Sequence, residues 1–252
     1  MKLRVLGVIP ARFASSRFPG KALAPILGKP MIQHVYERSR RAKSVDRVLV
    51  ATDDLRILET VRDFGGEAFL TGDCPTGTDR VAVTAAAFPD YEVVLNIQGD
   101  EPLLEPDMLD ALVAPFEQDE TVVMSTLAER IRDQRDYLSP NVVKVLTDRF
   151  GFALYFSRAS IPGSRAGSVW DPNAPIFRHV GLYGYRADFL QRLVRLEPTP
   201  LEQREGLEQL RALENGYRIY VSITPYRTVG VDTPEELLAV EEILRRRLGL
   251  QP

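Results

Sequence analysis

Val8-Ile9-Pro10-Ala11-Arg12-Phe13-Ala14-Ser15-Ser16-Arg17-Phe18-Pro19-Gly20-Lys21 begins inside an apolar run, residues 3–9, that reads as a buried first strand. Pro30-Met31-Ile32, a little further on, opens a helical pattern. The loop between strand and helix carries two arginines, two serines, a glycine and a lysine. Such a loop suits phosphate: backbone N–H groups and hydroxyls wrap the oxygens while the cations offset their charge. In isolation the same residues would also make an exposed basic turn. Their place at the carboxyl end of a first strand, where open α/β sheets bind ligands, favours a triphosphate. The loop is not a Walker A motif, because Gly20-Lys21 is followed by Ala22, and it contains no G-x-G-x-x-G.

Strand and helix patterns alternate outward from this loop. Residues 5–9, 47–51, 67–70 and 93–97 read as short buried strands, and 31–41, 55–64 and 79–88 as helices, with Gly65-Gly66 as a helix stop. Alternation of this kind implies an α/β fold: a mostly parallel central sheet with helices on both faces. From residue 121 the character changes. Residues 121–128, 142–146 and 152–156 are β-rich without regular helices between them, and a Gly/Pro/Ser-rich loop spans 161–167. A strand-like run ends at 178–185, and helices are expected over 186–195 and 201–214, the latter stopped by Asn215-Gly216. A strand at 217–223 and an amphipathic helix at 234–248 follow, the helix capped by Asp232 or Thr233. The expected organisation is a single domain, residues 1–252, with a core of about 1–120 and 215–252 and an inserted region of about 121–214.

Composition narrows the classes of function. A net charge of -3 argues against a dedicated nucleic-acid binder. Cys74 is the single cysteine, which excludes an intramolecular disulfide and a cysteine-rich zinc site. No apolar run is long enough to span a bilayer and no leading signal-like segment stands out, so the expected location is the cytoplasm.

Three further motifs carry chemistry. In Asn96-Ile97-Gln98-Gly99-Asp100-Glu101-Pro102 an apolar strand delivers Asp100 to the sheet's carboxyl edge. An Asp there suits Mg²⁺, which takes one or two carboxylates plus phosphate oxygens, although a turn Asp has the same look. Gly230-Val231-Asp232-Thr233-Pro234 is a second acidic turn, where Asp232 is open to metal ligation, helix capping or both. Thr76-Gly77-Thr78-Asp79-Arg80 is either a close-approach turn for a base or phosphate, with Arg80 offsetting charge, or a routine helix N-cap.

V-I-P-A-R-F-A-S-S-R-F-P-G-K, T-G-T-D-R, N-I-Q-G-D-E-P, Y-F-S-R-A-S-I-P, R-H-V-G-L-Y-G-Y-R, L-E-Q-L-R and G-V-D-T-P occur in one order from residue 3 to about 240. Together they resemble the 3-deoxy-manno-octulosonate cytidylyltransferase (CMP-Kdo synthetase) family. The resemblance implies a Rossmann-like nucleotidyltransferase fold that activates Kdo, an eight-carbon acid sugar, with CTP and Mg²⁺, yielding CMP-Kdo and pyrophosphate. It also implies a homodimer, with the inserted region serving sugar binding and dimerisation. By the same resemblance Arg12, Ser15, Arg17 and Lys21 meet the CTP phosphates. Thr76, Gly77, Thr78 and Arg80 fall on the nucleotide side, and Asp100 and Asp232 match the metal carboxylates. Gln98, Arg158, His179, Tyr183, Glu208 and Gln209 fall where the family contacts its sugar. Kdo carries a carboxylate and several hydroxyls, so cations, amides, Tyr and Glu suit it on chemical grounds too. By themselves His179 and Tyr183 would read equally as a structural imidazole and a core ring. A sialic-acid-activating relative would carry a first loop closer to A-R-G-G-S-K. Two departures stand out: Gly163-Ser164 where many relatives carry Trp and an acidic residue, and Asp79 where Glu is usual.

Overall fold

Residues 2–14, 18–165, 170–171 and 174–250 are described by the computed structural model; Ser15 and Arg17 of the first loop lie outside this set. In chain order the elements begin with β1 (Val5–Ala11), a small hairpin of β2 (Pro25–Ile26) and β3 (Lys29–Pro30), α1 (Met31–Ser39), β4 (Arg47–Thr52) and α2 (Leu55–Asp63). They continue with β5 (Ala68–Leu70), α3 (Gly77–Ala87), β6 (Val93–Asn96), α4 (Pro106–Gln118), β7 (Met124–Arg130) and α5 (Gln134–Leu138). The remainder comprises β8 (Lys144–Thr147), β9 (Ala153–Ser157), β10 (Phe177–Arg186), α6 (Ala187–Leu193), α7 (Pro200–Glu205), α8 (Gln209–Glu214), β11 (Ile219–Ile223) and α9 (Pro234–Arg247).

The chain forms two compact units, Met1–Asp110 with Thr228–Pro252, and Ala111–Arg227. In the first, β6, β1, β4 and β5 lie side by side and all parallel, with Val5 opposite Val93, Leu6 opposite Arg47 and Val50 opposite Ala68. Leu6, Val8, Ile9, Val50 and Leu95 are fully buried, as strands covered on both faces must be. This is the α/β architecture expected from the alternating pattern. The last helix joins this unit because Val240 and Leu244 bury themselves among Ile26, Met31, Leu103 and Val231. Thr233, rather than Asp232, caps α9: its side chain accepts from the Glu236 N–H and the Glu236 carboxylate accepts from the Thr233 N–H.

In the second unit β7 pairs with β11 in parallel and with β10 antiparallel, and β8 pairs antiparallel with both β10 and β9. Two expectations are corrected here. The β-rich stretch does contain a helix, α5, which Asp133 caps by accepting from the Arg135 N–H. The helix expected over 201–214 is two helices, because Gly206 adopts φ +63°, a left-handed conformation that ends α7. Glu208 and Gln209 therefore do not share one helix: Glu208 is the residue preceding α8 and Gln209 its first. The sequence reading also passed over the β2–β3 hairpin and α4, and it carried α1 two residues past its end at Ser39.

Candidate active site

The carboxyl ends of β1 and β6 open into a pocket of about 300 Å³ in the first unit. Arg12, Lys21, Thr76, Gly77, Arg80, Gln98, Asp100 and Asp232 line it together. The first loop closes on itself, Gly20 N–H donating to Phe13 O at 2.9 Å. Phe13 is in turn covered by the Arg56 guanidinium, whose carbon stands 3.3 Å from the ring centre. Arg12 is exposed at the pocket wall, and Lys21 reaches inward from the loop's end.

Lys21 is the centre of the pocket's charge. Its Nζ donates to Asp100 Oδ2 at 2.6 Å, Asp232 Oδ1 at 2.9 Å and the Val231 carbonyl at 3.1 Å. Burial alone would lower its pKa, but the two carboxylates outweigh that effect and hold the ammonium above its usual value. Gly99 is what lets Asp100 arrive there, since a Cβ at this position would meet the Pro10 carbonyl oxygen at 3.0 Å and two isoleucine side chains at 3.4 Å. Asp232 keeps its carboxylate turned to Lys21 because Thr233 does the capping.

Thr76 caps α3 through a full capping box with Asp79, so the Asp found in place of the usual Glu closes the motif unaided. Arg80 corrects a simple reading of its charge. It is 3% exposed, donates to Thr71 Oγ1 and pairs with Asp53 at 2.7 Å. What it presents to the pocket is thus a compensated ion pair rather than an isolated cation.

Thr78, the second residue of α3, stays in the first unit but is not among the residues that line the pocket; the predicted residues still to be placed belong to the second unit. A register shift in β10 between Val180 and Tyr183 interrupts its pairing with β7, and the Thr126 hydroxyl fills the gap. Thr126 donates to Leu182 O at 2.8 Å, and its oxygen lies 2.9 Å from His179 Nε2. Carbonyls only accept, so the single hydroxyl proton goes to Leu182 and His179 donates from Nε2, leaving Nδ1 an acceptor. Enclosure lowers the His179 pKa to about 3, so the ring is neutral at any physiological pH. Its ring centre lies 5.4 Å from that of Tyr183, whose phenol is pushed up by burial and donates to Gln209 Oε1 at 3.1 Å. Gln209 is 4% exposed, and among the described residues its buried Nε2 has no acceptor. Glu208, beside it in sequence, is exposed.

Arg158 follows β9 and is held by backbone. Its Nε donates to Glu205 O at 2.7 Å, its Nη1 to Pro140 O at 3.2 Å, and its own N–H to the Glu205 carboxylate at 2.9 Å. Sequence reasoning missed Thr126, Glu205 and Lys144, which surround these residues. Lys144 alone left a mark in the sequence, as a lysine between valines in an expected strand.

A cytidylyltransferase family model matches residues 6–219. The chain belongs to the cytidylyltransferase family. It is 52% identical over 254 residues to the 3-deoxy-manno-octulosonate cytidylyltransferase of Geobacter metallireducens, covering 97% of this chain and 99% of that one. Its identity to the protein of the same name from Syntrophotalea carbinolica is 54% over 249 residues, with coverage of 96% and 99%. The solved structure of CMP:2-keto-3-deoxy-manno-octonic acid synthetase complexed with CTP matches with a TM-score of 0.91 at 39% identity, covering 97% of this chain and 99% of that one. The cytidylyltransferase fold is thus shared along nearly the whole chain, insertion included.

Proposed function

We propose that this chain transfers CMP from CTP to Kdo, releasing pyrophosphate and giving the CMP-Kdo that lipopolysaccharide synthesis consumes. The observation that carries this reading is the pocket at the end of β1 and β6, where a phosphate loop meets Lys21, Asp100 and Asp232. Near-full-length kinship to proteins named for this reaction supplies the sugar. The anomeric hydroxyl attacks the α-phosphorus of CTP in line and pyrophosphate departs. Arg12, Lys21 and, in the family's pattern, Ser15 and Arg17 take up the charge that moves onto the leaving phosphates. Positioning and electrostatics then suffice without a covalent enzyme intermediate.

The pocket suits Mg²⁺ on its own chemistry. Lys21 shows that Asp100 and Asp232 can close on one cation, from 2.6 and 2.9 Å. Two carboxylates with water and phosphate oxygens completing the shell is the arrangement Mg²⁺ prefers. When bound there, Mg²⁺ polarises the α-phosphate and lowers the pKa of the attacking hydroxyl. Asp100 and Asp232 would hold the ion, and Lys21, beside both, would be left to serve the phosphates.

On the sugar side, Arg158 meets the Kdo carboxylate, while His179, Tyr183, Glu208 and Gln209 meet its hydroxyls. Neutral His179 offers Nδ1 as an acceptor, and the unpartnered amide of Gln209 offers a buried donor. Gln209→Ala is expected to raise the KM for Kdo by about tenfold, the size of one buried hydrogen bond. Its KM for CTP should stay within a factor of two; calorimetric titration with each substrate checks this, and equal weakening of both removes Gln209 from the sugar site.

Exposed Phe150, Leu154 and Ile223 of the second unit supply apolar surface for a homodimer. Among the described residues no helix is long and apolar enough to cross a membrane. Work in the cytoplasm, where CTP is made, fits this reading. A coupled pyrophosphate assay with CTP, Mg²⁺ and a panel of acid sugars tests it. Kdo should be the preferred acceptor, with CTP used more than about tenfold faster than ATP or GTP. Equal turnover with ATP, or a sialic acid outpacing Kdo, defeats the assignment.

A further inference from the structure

Lys144 is completely buried, yet among the described residues no carboxylate lies within hydrogen-bond distance of it. Its ammonium is satisfied by three backbone carbonyls, Ser139 O at 2.8 Å, Val142 O at 2.5 Å and Arg158 O at 2.7 Å. A lysine uses three donors, so this shell is complete. Burying an ammonium this deeply is costly even when it is hydrogen-bonded, and an apolar side chain would fill the same space at less cost. The three carbonyls say what the charge achieves. One belongs to Arg158 itself. The other two bracket Pro140, whose carbonyl accepts from the Arg158 guanidinium at 3.2 Å.

Glu205 grips the same residue from the other side. Its carboxylate accepts from the Arg158 N–H at 2.9 Å and from Ser157 Oγ at 2.7 Å, and its carbonyl accepts from Arg158 Nε at 2.7 Å. Both faces of the Arg158 backbone and two of its three guanidinium nitrogens are thereby fixed. Among the described residues none accepts from Nη2, the nitrogen left to meet an anion.

We propose that Lys144 and Glu205 are positioning residues, a two-sided clamp that sets the Arg158 guanidinium for the carboxylate of the acid sugar. The proposal rests on the assignment of Arg158 to the sugar. Neither residue touches substrate; both act through Arg158, so their loss should be felt by one substrate and not the other. Lys144→Met keeps the stem and removes the ammonium. Glu205→Gln keeps size and one acceptor, and at a half-buried position it is the milder change, carrying the test should the lysine variant fail to fold.

Three variants are measured by steady-state kinetics beside their melting temperatures: Arg158→Met, Lys144→Met and Glu205→Gln. The expected result is a rise in KM for Kdo of about tenfold or more in each, matching one charge-assisted hydrogen bond, with KM for CTP within a factor of two. A merely structural defect would instead lower the active fraction, and with it kcat, leaving both KM values in place. If Arg158→Met leaves the Kdo KM unchanged, the sugar assignment falls and takes the clamp with it. If Arg158→Met raises it while the folded clamp variants do not, or if they weaken CTP and Kdo alike, the clamp alone is overturned.

Discussion

An Asp100→Asn protein is expected to fold and to turn over CTP at least about a hundredfold more slowly, the loss typical of deleting one strong electrostatic contact at a reacting centre. Asparagine keeps the size of the side chain, so the close passage of Gly99 past Pro10 is undisturbed. What disappears is half of the anionic pair that faces Lys21. On the proposed reading a hard divalent cation would be held by that pair through charge, and an amide oxygen is a poor substitute. Because the contact strengthens as charge develops on the phosphates, kcat should fall more than KM rises. Asp232→Asn should behave alike. Its melting temperature should also hold, since Thr233 provides the cap of α9. Turnover and melting measured on the same samples separate chemistry from folding. A folded Asp100→Asn enzyme with near-normal Mg²⁺-dependent activity would remove this carboxylate from the reaction.

What was legible in the sequence follows what is local. Asp100 could be placed because an apolar strand and a glycine precede it, and the strand-to-helix phosphate loop could be placed for the same reason. That Lys21 reaches Asp232, 211 positions away, is a product of tertiary packing with no local mark. The Arg80–Asp53 pair was hidden likewise, because nothing beside Asp53 distinguishes it from any other surface carboxylate. Gly206 misled in the opposite direction: the apolar spacing on both sides of it continues a helical pattern, and only its positive φ shows the break. Lys144 was visible as an anomaly, but its three carbonyl partners come from two separate loops, so its purpose was not. The residues assigned to the sugar were reachable only through resemblance, since a half-buried imidazole and a half-buried phenol carry no chemical label of their own.

Lys21→Met is expected to lower turnover by about a hundredfold to a thousandfold, because on the proposed reading it takes away a cation that serves the departing phosphates. It should also leave a second mark, one that needs no substrate. The ammonium lies between Asp100 and Asp232, from 2.6 and 2.9 Å, and donates as well to Val231 O. Removing it leaves two carboxylates facing each other and a carbonyl without its donor. The side chains of Asp100 and Asp232 are 30% and 43% exposed, so solvent softens the repulsion to about 1 kcal/mol. For a chain of this size that is a fall in melting temperature of about 2–4 °C. Millimolar Mg²⁺ added without nucleotide should raise the melting temperature of the variant more than that of the wild type. In the variant the metal meets a bare pair of anions; in the wild type it must displace a lysine, and binding to the native state stabilises in proportion to affinity. Thermal melts of both proteins with and without Mg²⁺ make the comparison. A variant that melts like the wild type, responds to Mg²⁺ no more strongly and keeps its turnover would show that Lys21 neither holds the carboxylates together nor serves the phosphates.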